Sequence, residues 1–124
     1  MELTFSDHVD ILGTAYSILV KNKDEHACFK GHADAFGCTE LFQKVIIIRD
    51  LLALDDLTEE DRTYIFLGMQ KTLRHEIVHA FLHESGLDRN STAAGRWAKN
   101  EEMVDWMALQ GPKLMKAWEQ AGAL

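Results

Sequence analysis

The sequence predicts an α+β fold: a small antiparallel or mixed sheet of about three strands, packed on one long helix that two further helices follow. Short β-branched runs separated by turn residues occupy the stretch from Val9 to Asp50. From Thr58 onward, apolar residues recur at three- and four-residue spacing. A chain of 124 residues suits one hydrophobic core, and a composition 47% apolar and 27% charged shows no low-complexity tract or linker.

The elements follow in order. VDIL (9–12) and YSILV (16–20) flank Gly13-Thr14-Ala15, a sequence that suits a hairpin. The charge-mixed stretch 21–37 reads as mostly loop. KVIIIRD (44–50) is a short, largely buried strand. Thr58 then opens a helix as its N-cap, with Glu59, Glu60 and Asp61 placed to favour the positive end of the helix dipole. This helix runs to about Glu84 and stops at Gly86. Phe66, Met69, Leu73, Ile77, Ala80 and Phe81 form its core stripe. A second helix spans about Arg96 to Gln110 and ends at Gly111-Pro112, and a third, KLMKAWEQAGAL, closes the chain.

Charge and composition exclude several function classes. The net charge is -7 with only 13 Lys and Arg, which argues against a phosphate-binding face and so against nucleic acid as a partner. No apolar run is long enough for a membrane span, and the N-terminus is acidic where a secretion signal would be basic. The expectation is a cytoplasmic protein without a membrane partner, its Cys28 and Cys38 reduced. His26, Cys28, His32 and Cys38 have metal-capable atoms, but their spacing fits no structural zinc pattern.

The chemistry is concentrated in HEIVH, residues 75–79. Histidines four apart on a helix lie one above the other, about 6 Å along the axis, so His75 and His79 can aim at one point. Glu76 leaves the same flank, where it meets a water on the metal rather than the metal itself. A metal cation lowers the pKa of its bound water from about 15.7 towards 7 and polarises a carbonyl. A carboxylate at Glu76 then serves as general base and returns the proton to a leaving amine, which amounts to amide hydrolysis. A catalytic zinc needs a third protein ligand. His83 does not supply it, because His75 and His83 are separated by about 12 Å of helical rise; His83 reads as a helix-surface or substrate-side residue.

The next helix offers the missing group. Asn100-Glu101-Glu102-Met103-Val104-Asp105 resembles the N-E-x-x-(S/A)-D element of the gluzincin metallopeptidases, with Val104 standing where that pattern has a small residue. The run Glu101 to Ala108, EEMVDWMA, is also similar to the element that follows HExxH in ImmA/IrrE-type peptidases of prophages and mobile elements. The likeness covers roughly residues 40–110 and is confined to the motifs. It implies one zincin-like metallopeptidase domain over residues 1–124, with one Zn2+ per chain held by His75, His79 and Glu101. It further implies that Asp105 hydrogen-bonds a ligand histidine. Manganese, iron or cobalt also suits such a ligand set.

By the same analogy KVIIIRD is the edge strand that would pair with an extended substrate, a peptide or a particular regulatory or phage protein. Glu102 reads as a solvated carboxylate, taking the ligand's place only if its helix is rotated. Trp97, Trp106 and Trp118 read as packing residues. His83, Tyr64 and Arg96 are the candidates for steadying an oxyanion. The alternative is a metal-containing protein-binding or regulatory module without turnover.

Overall fold

A computed structural model of the chain describes residues 3–30, 35–86 and 101–122, with the side chains of 117–119 left aside. The expected α+β class is borne out, with four strands rather than three: β1 (His8–Ile11), β2 (Thr14–Lys21), β3 (Gly37–Glu40) and β4 (Val45–Arg49). The helices are α1 (Glu59–Glu84) and α2 (Glu101–Gln120). The sheet is mixed, in the order β1-β2-β4-β3. β1 and β2 are antiparallel, β2 and β4 parallel, and β3 and β4 antiparallel.

Ile11 pairs with Thr14, so the first hairpin turns on two residues, Leu12 (φ 51°) and Gly13 (φ 90°). Positive φ at both positions is the twist a two-residue hairpin needs. β4 lies between β2 and β3, which explains its unbroken apolar run: Ile46, Ile47 and Ile48 are all fully buried. The expectation that this strand is a free edge is therefore corrected. The edge beside α1 is β3, which begins at the last residue of the stretch read as mostly loop and is not read as a strand from the sequence. Four residues, GCTE, carry too little alternation to signal a strand.

α1 starts where the sequence places it. The Thr58 side chain accepts from the Asp61 N–H, and the Asp61 carboxylate accepts from the Thr58 N–H, a reciprocal cap that satisfies two end donors. Gly86, at φ 83°, follows the helix as its end signal. The core joins Ile11, Tyr16, Ile46 and Ile48 of the sheet to Met69 and Ala80 of α1. Leu73 and Ile77 pack against this cluster, as their spacing predicts. Phe81 departs from the stripe and is 40% exposed. A second cluster, Leu82 and Val104 with Val78 and Met103, joins α1 to α2.

The expected break at Gly111-Pro112 is absent, and α2 continues through it to Gln120. Proline has no N–H to give to the carbonyl of Ala108, four residues back. The Arg74 guanidinium of α1 takes that carbonyl instead, Nε to O 2.5 Å. Gly111 eases the passage because it has no Cβ to meet the proline ring. Two predicted helices are thus one among the described residues, and the expected start at Arg96 lies outside them.

Three side-chain expectations also change. Cys28 and Cys38 are paired in a disulfide that ties β3 to a short 3-10 turn (Ala27–Phe29), not held as two thiols. His83 is buried rather than on the surface, its ring edge-on to Phe42. Trp106 is 54% exposed and is not a packing residue. Trp97, Arg96 and His32 lie outside the described residues. No helix among them is long and apolar enough to cross a membrane.

Candidate metal centre

α1 presents His75, Glu76 and His79 towards a cleft of about 670 Å³ between α1, β3 and the first turn of α2. Phe36, Gly37, Cys38, Thr39 and Leu41 wall it on the sheet side; Lys71, Glu101 and Asp105 complete it. The packing of Val104 against Leu82 sets the height at which α2 enters. Val104 is fully buried, so its bulk, larger than the resembling pattern asks for, fills the helix interface.

The five residues picked out by the sequence come together. His75 Nε2 lies 3.2 Å from His79 Nε2. Glu101 straddles the pair, Oε2 at 2.9 Å from His75 Nε2 and Oε1 at 3.0 Å from His79 Nε2. Asp105 Oδ1 is 3.3 Å from His75 Nδ1. In the Nδ1–H tautomer His75 donates to that carboxylate and its Nε2 lone pair faces the cleft.

The donor set fits a metal ion. A tetrahedral ion with ligands at about 2.0 to 2.1 Å sets those ligands about 3.3 Å apart, close to the separation of the two imidazole nitrogens. One ligand atom from each of His75, His79 and Glu101 lies within 4.8 Å of the others, so the group could hold a cation. Two nitrogen lone pairs and a carboxylate packed this closely repel one another unless positive charge lies between them. A proton or a metal ion meets that need.

Glu76 is set apart from these three groups. It is 7% exposed, and burial raises its carboxyl above the ordinary value of 4.5. A hydrogen bond from Thr39 and the two histidines work in the opposite direction. Asp105 is held below its ordinary value, chiefly by an ion pair with Lys71 and also by His75. Lys71 and Thr39 were not found from the sequence. Lys71 precedes His75 by one turn, a spacing that gives some signal; Thr39 is 37 residues from Glu76 and gives none. Among the oxyanion candidates, Tyr64 is 67% exposed and His83 is turned to Phe42, and neither lines the cleft. Glu102 is exposed, as expected of a solvated carboxylate.

No protein-family model, curated protein or solved structure matches the chain.

Proposed function

We propose that the protein is a zinc-dependent endopeptidase of gluzincin type. The observation that carries this is the convergence of His75, His79 and Glu101 with a buried carboxylate, Glu76, beside them. His75, His79 and Glu101 hold the ion; when bound it supplies Lewis-acid polarisation of a carbonyl and an acidified water.

Glu76 would accept a proton from an attacking water and pass it to the departing amine. Asp105 holds the His75 ring in the tautomer that keeps Nε2 unprotonated. An extended peptide pairs with β3, the sheet edge that walls the cleft, rather than with the central β4. A regulatory or phage protein, cut once, is the substrate class in keeping with the mobile-element likeness. A cytoplasmic place belongs to the same proposal. The Cys28–Cys38 bond weighs against it, because cytosolic reductants keep most such pairs open.

The test is elemental analysis of purified protein followed by a peptide-cleavage assay. Wild type is expected to carry about one zinc per chain, and His79→Ala and Glu101→Ala clearly less. Glu76→Gln should keep its zinc and lose cleavage. Cleavage that survives in Glu76→Gln would overturn the peptidase reading; full zinc with no cleavage in wild type would favour a binding module.

A further inference from the structure

The general base of such a site must be held in place, and Glu76 has a side chain with three rotatable bonds. One neighbour on the opposite wall reaches it. Thr39 of β3 donates from its hydroxyl to Glu76 Oε1 at 2.8 Å, with the main-chain oxygen of Glu76 a weaker second acceptor at 3.3 Å. A hydroxyl has one hydrogen, and the shorter contact to a carboxylate is the stronger. The bond engages one carboxylate oxygen and leaves the other to exchange a proton.

We propose that Thr39 is the positioning residue of Glu76, an inference that rests on the peptidase reading. Three features of β3 serve that role. Thr39 and Gly37 are two apart and so lie on the same face of β3, towards α1. A Cβ at Gly37 would stand 2.9 Å from Thr72 Cγ2 and 3.3 Å from Glu76 Cγ, so only glycine there lets the strand lie this close to the helix. Cys38 ties the same strand to the 3-10 turn through Cys28. Thr39 is also β-branched, with few χ1 choices on a strand. The carboxylate is therefore gripped by a stiff side chain on an anchored strand, and the Thr39 hydroxyl bonds to Glu76 and to none of the three groups that would hold the ion.

The experiment compares wild type, Thr39→Val, Thr39→Ser and Glu76→Gln, each reconstituted with zinc. Two quantities are read: zinc content, and the affinity for acetohydroxamic acid by titration calorimetry. This small chelator gives up its hydroxyl proton to a carboxylate beside the metal, so its binding reads the placement of Glu76 without any turnover. Valine keeps the shape of threonine and removes the hydrogen bond. Thr39→Val is expected to hold one zinc and to bind acetohydroxamic acid about tenfold more weakly, the loss of one hydrogen bond to a charged group. Thr39→Ser should return to within about threefold of wild type.

Wild-type affinity in Thr39→Val at full zinc overturns the proposal, leaving Thr39 as a tie between strand and helix. Equal weakening in Thr39→Val and Thr39→Ser overturns it as well, since the hydroxyl is then not what matters. Wild type without zinc, wild type that binds zinc but not the chelator, or Glu76→Gln that binds it as wild type does, brings down the peptidase reading and the proposal with it.

Discussion

Asp105 meets two groups, the Lys71 ammonium and the His75 Nδ1, and chiefly the first holds its carboxyl below the ordinary value. Outer hydrogen-bond partners of metal-binding histidines typically account for about 10- to 100-fold in metal affinity. Asp105→Ala is therefore expected to weaken zinc binding by about that factor in competition with a chelator. Lys71→Met should weaken it less, because Asp105 keeps its bond to His75. A similar loss in a Glu102→Ala control, which changes an exposed carboxylate, would show that the effect is not local to His75. Of the five residues read from the sequence, His75, Glu76 and His79 follow from spacing within about one helical turn, while Glu101 and Asp105 follow from the likeness of residues 100–105 to the gluzincin element. Their meeting needs only that two helices pack. Thr39 escapes such a reading because its place depends on a strand register that no short pattern encodes.

At the level of elements, α2 shows how a local rule is overridden from outside. Gly111-Pro112 marks a helix end in any local reading, and the chain nonetheless continues because Arg74, 34 residues from Ala108, satisfies the carbonyl that Pro112 leaves open. Arg74→Met is expected to cost about 1 to 3 kcal/mol in urea unfolding, the usual penalty for a stranded polar group. In a Pro112→Ala background the helix supplies its own N–H, and the same substitution should cost clearly less. The double-mutant cycle thus predicts a coupling of about 1 kcal/mol or more; additivity would show that Arg74 does not replace the missing donor. α1, in contrast, was legible at both ends, since its Thr58 cap and its Gly86 stop act through neighbours in sequence. A Thr58→Ala change should cost about 1 kcal/mol.

Taken whole, the molecule is held at two places that the sequence did not reveal. Glu84, at the end of α1, gathers Lys44, Tyr16 and Thr14 from the sheet. Chiefly the Lys44 ammonium, then the Tyr16 hydroxyl, pull its carboxyl from 4.5 down to about 2. The folded value is the lower one, so the stability it gives is complete above pH 4.5 and is lost as pH falls through 2. Urea unfolding at pH 6 and pH 3 should show a smaller acid loss in Glu84→Gln than in wild type. The Cys28–Cys38 bond closes a loop of 10 residues in sequence separation. Reduction should lower stability by about 3 kcal/mol on loop-closure grounds, and mass spectrometry after alkylation of freshly isolated protein reads whether the bond is present.

The α+β class was visible because periodicity changes near Thr58; the parallel pairing of β2 with β4 was not, because it joins strands that are separated in the chain by β3, which has only four residues. That shortness has a further consequence. Both sheet edges, β1 and β3, are four residues long, about 13 Å of ladder. An edge so brief gives a passing chain few backbone bonds, which would limit how firmly the proposed peptide substrate is held. It also denies other copies of the protein a template on which to stack, and so blunts the growth of aggregates from an open sheet.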